Sequence, residues 1–144
     1  MAAKRTSVYL TDNTLRILGQ ADDLPELESL SGRINATIGR FGELVAAEMP
    51  TLTQAEWCAI MDANNGSFTH EFMPAEQSLL WANLADSQGM DEKWEIDSKS
   101  LIKKMRGLSK AQSTAAIEAV AAFWRLCELP TEEALLKAGV RIKL

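Results

Sequence analysis

Groups that do covalent or metal chemistry are scarce in this chain. The only histidine, His70, sits in Ser-Phe-Thr-His-Glu-Phe and reads as a loop residue or a satisfied hydrogen-bond donor, since no triad assembles around it. Cys58 and Cys127 lie far apart inside apolar helical patterns with no activating neighbour in sequence, and read as core positions. There is no glycine-rich phosphate loop, no HExxH, no CxxC and no paired-carboxylate motif. No catalytic residue, metal ligand or cofactor is therefore expected, and the chain does not read as an enzyme. Against that silence stands one patterned segment. From Arg5 to Leu10 the residues alternate, so that Thr6, Val8 and Leu10 face one way and Arg5, Ser7 and Tyr9 the other. It is the best strand signal in the sequence.

The elements that would position this segment follow directly. Thr11-Asp12-Asn13 supplies helix-capping residues and an acidic first turn ahead of Leu15, Ile17 and Leu18, which predicts a short helix over about 12–21 before Asp22-Asp23-Leu24-Pro25 breaks it. A second helix is predicted over about 30–48, because Ile34, Ile38, Phe41 and Val45 recur at spacings that line one face. Gly39 and Gly42 weaken it, each by roughly 1 kcal/mol against alanine, so close packing is expected to hold the helical form there.

Length and charge bound the rest. The chain has 144 residues, 47% of them hydrophobic, which is enough for a true core. Fifteen Lys and Arg against twenty Asp and Glu give a net charge of −5, which argues against broad electrostatic binding to nucleic acid or to an anionic membrane. Two distant cysteines exclude a disulfide framework and suit a reducing cytoplasm. The start, Met-Ala-Ala-Lys-Arg, lacks the apolar run of a signal peptide, and no stretch approaches the roughly 20 apolar residues of a membrane span, so a cytoplasmic, unprocessed protein is expected.

Composition shifts near Met49-Pro50. All four tryptophans, Trp57, Trp81, Trp94 and Trp124, follow it. Two domains are expected, 1–50 and 51–144, and in the second the reading is helix after helix. Thr53-Gln-Ala-Glu56 is a capping box, with Leu52 and Trp57 at the positions of a hydrophobic staple, so a helix is predicted over 54–63, ended by Asn64-Asn65-Gly66. Pro74-Ala75-Glu76 opens a helix to about Asp86, and Asp97-Ser98 opens one that stops near Gly107. Ser109 to Gln112 is a second capping box, before a helix with Ile117, Val120, Trp124 and Cys127 in one stripe. Thr131 to Lys137 is a last short helix, and residues 139–144 alternate as a terminal strand or a tail.

The N-terminal strand needs partners for its amides and carbonyls, and no second strand is predicted within the next hundred residues. It pairs either with its own copy across a twofold axis, which is the favoured reading, or with residues 139–144. The strand, helix, helix order carries further detail. The run Lys-Arg-Thr-Ser-Val-Tyr-Leu-Thr, together with Ser29-Leu-Ser31-Gly-Arg-Ile34-Asn35-Ala-Thr-Ile38-Gly-Arg-Phe41, resembles the ribbon-helix-helix family of DNA-binding repressors and antitoxins over about residues 4–48. The connector, Asp22 to Glu28, departs from the family in being longer and more acidic.

The resemblance implies a mainly α protein in which two chains interlock through a shared antiparallel ribbon that enters the major groove of double-stranded DNA. By position, Arg5, Ser7 and Tyr9 would contact bases, and Thr6, Val8, Leu10, Ile34, Ile38 and Phe41 would form the dimer core. Lys4, the amides at Leu30 and Ser31 after Ser29, and Arg33 would contact phosphates, with Ser29 or Ser31 as the helix cap. Residues 1–50 hold five basic and seven acidic side chains, yet Lys4 and Arg5 are the only charges in the first eleven. Modest affinity per dimer, steep salt dependence and cooperative binding to repeated sites are expected.

Residues 51–144 would form a small all-α domain for oligomerisation, effector sensing or a protein partner. Its tryptophans read as core before ligand pocket. Lys99, Lys103, Lys104, Arg106 and Lys110 stand with no acid between Ser98 and Gln112, as a DNA-backbone contact, a docking face or simply a solvated surface, with Asp91, Glu92, Glu95 and Asp97 ahead of them as neutralising groups. The expected function is a homodimeric, or higher oligomeric, transcriptional repressor. The alternative is an antitoxin-like or inhibitory module whose C-terminal helices bind a partner protein.

Overall fold

The computed structural model describes Thr14 and residues 30–65, 79–126 and 129–143. Over these the chain is mainly helical: α1 (Leu30–Glu48), β1 (Thr51–Leu52), α2 (Gln54–Ala63), α3 (Leu79–Asp86), α4 (Met90–Trp94), α5 (Ser98–Arg106), α6 (Lys110–Leu126), α7 (Glu132–Lys137) and β2 (Arg141–Ile142). Thr14 is helical. The chain divides into two units, Met1–Glu43 and Leu44–Leu144, with the boundary inside α1.

The C-terminal unit is organised around α2. That helix packs against α3, α4, α6 and α7, so it is enclosed on several sides and five consecutive residues, Trp57 to Met61, are buried. So central a place buries side chains on all sides of its middle turn, while Glu56 and Asp62 towards its ends stay partly open. Its start is the capping box read from sequence. The Thr53 hydroxyl accepts from the Glu56 amide at 3.2 Å, and the Glu56 carboxylate accepts from the Thr53 amide at 2.8 Å. Leu52 and Trp57, the staple pair, both sit in the core. Ser109 and Gln112 form the second box reciprocally, at 3.0 and 3.1 Å, ahead of α6. On α6 the buried residues include Ala115, Ala116 and Ala119, whose small side chains let neighbouring helices approach closely around Val120 and Phe123.

The terminal segment is a strand, and its partner is one that sequence reading missed. β2 lies parallel to β1, with Thr51 opposite Arg141 and Leu52 opposite Ile142, and the Lys143 amide donates to the Leu52 carbonyl at 2.7 Å. The expectation of no second strand within a hundred residues of the first is thereby corrected: Thr51–Leu52 is a strand. Two residues are too few to show alternation, and the helices between β1 and β2 provide the long crossover that a parallel pair needs. Two further bonds tie β2 in place. The Trp57 indole N–H donates to the Arg141 carbonyl at 2.9 Å, and the Arg141 guanidinium donates to the Ala46 carbonyl at 2.7 Å. The latter puts a cation on the last turn of α1, where carbonyls lack intrahelical donors and the helix dipole favours positive charge.

Helix α4 was also missed. It is bracketed by two residues in the left-handed region, Gly89 at φ 74° and Glu95 at φ 51°. Glycine adopts that conformation freely, whereas nothing about Glu95 announces it.

Candidate functional site

The residues assigned to base contact, Arg5, Ser7 and Tyr9, lie outside the described residues, as do Lys4, Ser29, Thr6, Val8 and Leu10 and the connector 22–28. What the structure describes of the candidate site is α1. The helix begins at Leu30 and therefore places Ser31 at its second position, inside the helix and not at the cap. The amides of Leu30 and Ser31 are among the first four of the helix, the set that intrahelical bonding does not use. Arg33 is half-buried on the same first turns.

The apolar side of α1 is uncovered within one chain. Ile38 is 62% exposed and Phe41 42%, while Ile34 is half-buried. Large apolar groups left in water cost free energy in proportion to their area. The two glycines on this helix carry no internal explanation, contrary to the expectation of close packing. No described atom lies within 4 Å of a Cβ built at Gly39 or Gly42. Both leave room for a close approach from outside the chain.

The tryptophans belong to the core or pack against it. Trp57 is fully buried, and Trp81, Trp94 and Trp124 pack against the core. Trp94 donates to the Asp62 carboxylate at 3.0 Å and Trp124 to the Met61 carbonyl at 3.1 Å, which is how a large indole satisfies its one polar atom in an interior. Cys58 is a core residue as read. Its thiol donates to the Pro130 carbonyl at 3.2 Å, and burial, helped by the charge of Asp62, pushes its pKa up, away from thiolate chemistry. Cys127 and His70 lie outside the described residues. Asn64, the one fully buried side-chain amide among the described residues, is held by the Ile60 carbonyl at 2.8 Å and by Asn83, whose side-chain N–H donates to it at 2.8 Å. It caps α2 structurally.

A shallow depression of about 290 Å³ is lined by Ser87, Gly89, Met90, Asp91, Glu92 and Ser98. Asp91 spends an oxygen on the Ser98 amide at 2.9 Å, and the Ser87 hydroxyl donates to the Asn83 carbonyl at 2.7 Å. Among the described residues no group of His, Cys, Asp or Glu gathers as metal ligands, and no helix is long and apolar enough to cross a membrane.

The basic run 99–110 is sorted by its helix. Lys104 pairs with Glu56 of α2, and this is the ion pair that neutralises part of the run. Of the acids ahead of it, expected to do so, Asp97 does so in part, since its carboxylate interacts with the Lys99 charge, and Asp91 is taken by the Ser98 amide. Asp97 caps α5 by accepting from the Lys99 and Ser100 amides at 3.1 and 3.2 Å and from the Ser100 hydroxyl at 2.6 Å, while Asp62 of α2 takes Lys93. The Ser100 hydrogen bonds hold the Asp97 carboxyl below its ordinary range.

No family model matches the chain, and no curated protein or solved structure matches it.

Proposed function

We propose that the protein is a cytoplasmic, homodimeric DNA-binding transcriptional regulator of the ribbon-helix-helix kind. The carrying observation is the match of Lys4 to Leu10 and Ser29 to Phe41, in order, to the pattern of a ribbon and a second helix. Two features of α1 support it. The helix runs from Leu30 to Glu48 and so includes the Ile34-to-Phe41 part of that pattern, and Ile38 and Phe41 are exposed within one chain. In this reading the two strands pair across the twofold axis and present Arg5, Ser7 and Tyr9 to base edges. The α1 amides at Leu30 and Ser31, with Lys4 and Arg33, hold flanking phosphates. The C-terminal helices set higher assembly or receive a partner protein.

Selection of bound sequences from random duplex DNA tests this. A short palindromic or tandem motif is expected, and Arg5→Ala with Ser7→Ala should abolish preference for it while the dimer persists. Selection that enriches no motif overturns the reading.

A further inference from the structure

Residues 44–144 carry ten basic and fourteen acidic side chains, a net of −4, yet five of those cations fall between Ser98 and Gln112 with no acid among them. Helix α5 distributes them. With 3.6 residues per turn, Lys99, Lys103 and Arg106 fall within an arc of about 60°, opposite Leu101 and Met105, which are buried. Lys104 lies off the arc and is the one engaged by Glu56. Lys99, Lys103 and Arg106 are exposed, as is Lys110, which opens α6 just beyond. Lys103, Arg106 and Lys110 carry no ion pair among the described residues, and Lys99 is offset only in part, by the charge of Asp97 ahead of the helix.

We propose that this face binds the phosphate backbone of a nucleic-acid duplex. The inference rests on the reading of the chain as a DNA-binding protein and adds to the ribbon a second contact that is indifferent to sequence. From Lys99 to Arg106 the helix rises about 10 Å, enough for the row to reach more than one phosphate of a duplex strand. The surroundings favour a polyanion over a protein. Protein interfaces centre on aromatic and apolar anchors and are depleted in lysine, and no exposed large hydrophobic residue lies in this stretch: Ile38, Phe41, Leu44, Leu129 and Leu136 are all elsewhere. Phosphates ask only for exposed, unneutralised cations on a rigid element. The face also answers the acidity of the chain, since a row free of carboxylates gives a local positive field that the net charge conceals.

The test uses the full chain with a short random-sequence duplex and with the motif-bearing duplex, titrated over a range of salt. The variant Lys99→Ala, Lys103→Ala, Arg106→Ala, Lys110→Ala removes four exposed cations and substitutes the best helix former, so the fold is retained. Its log affinity should depend on log salt less steeply, by about three units per chain engaged, with equal loss on both duplexes. An unchanged slope overturns the inference. Arg5→Ala with Ser7→Ala separates the two proposals. If that variant loses sequence preference while the four-alanine variant keeps the wild-type slope, the ribbon stands and this face does not. If it changes nothing while the four-alanine variant loses affinity, the face stands and the ribbon reading falls. Tighter binding of polyglutamate than of duplex, abolished in the four-alanine variant, would overturn the proposal in favour of an acidic protein partner.

Discussion

Replacing Ile38 and Phe41 together by serine should separate chains without unfolding them. The expectation is worked from exposure. Full burial of an isoleucine or phenylalanine side chain stabilises by about 1.5–3 kcal/mol. Within one chain Ile38 is 62% exposed and Phe41 42% exposed, so covering what remains would supply about 1 to 1.5 kcal/mol for each. A twofold interface uses every residue twice, which brings the four side chains to about 5 kcal/mol, and each 1.4 kcal/mol is a factor of ten in the dissociation constant. Interfaces never cover every exposed atom, so the expected weakening is at least a hundredfold. Sedimentation velocity over a wide concentration range measures it directly. A urea titration well below the dimer dissociation constant serves as the control, because it measures separately what the substitutions cost the monomer, in which Phe41 is more than half buried. The reasoning is refuted if the double variant dissociates at the wild-type concentration, or if the wild-type chain is already monomeric at about 100 μM.

Other expectations concern the C-terminal unit. Thr53→Ala removes the hydroxyl that caps α2 and should lower stability to urea by about 1 kcal/mol, with the slope of the transition unchanged. Burial raises the pKa of Glu56, but the hydrogen bond from Lys104, the Thr53 amide and the Lys104 charge outweigh it and hold it below 4.5. A carboxylate depressed in the folded state contributes stability that is present above its unfolded pKa and lost as pH falls through the folded one. Urea midpoints should therefore drop on acidification below about pH 4.5, and Glu56→Gln should show a shallower drop; identical profiles would exclude this role. Trp57→Phe deletes the donor to the Arg141 carbonyl and leaves a gap in the core, for an expected loss of about 2 kcal/mol. Because that bond holds β2, amide exchange at Lys143 should accelerate more than exchange within α6.

The local elements were legible in the sequence because their causes are local. A hydroxyl three residues ahead of a Glu or Gln satisfies two orphan amides wherever the chain places it, and Thr53 and Ser109 do so here. Apolar spacing of three and four residues gave α1 its extent, Leu30 to Glu48, and its apolar side. Asn64 stops α2, and Thr131 starts α7 by accepting from the Ala134 amide at 3.2 Å. The indoles, expected in the core, are there, but no spacing gives the acceptors at Arg141, Asp62 and Met61, since each is chosen by packing between elements far apart in sequence.

By itself, then, the sequence determined where most of the described helices start and stop, α4 excepted, and which sides of them are apolar. Tertiary structure alone decided that Thr51–Leu52 and Arg141–Ile142 are strands and each other's partners, that Lys104 is the cation paired with Glu56, and that Ile38 and Phe41 remain exposed within one chain. The division has a physical reason. Capping and periodicity are settled by neighbours a few residues away, whereas pairing, neutralisation and burial depend on which distant groups the finished core brings within a few ångströms.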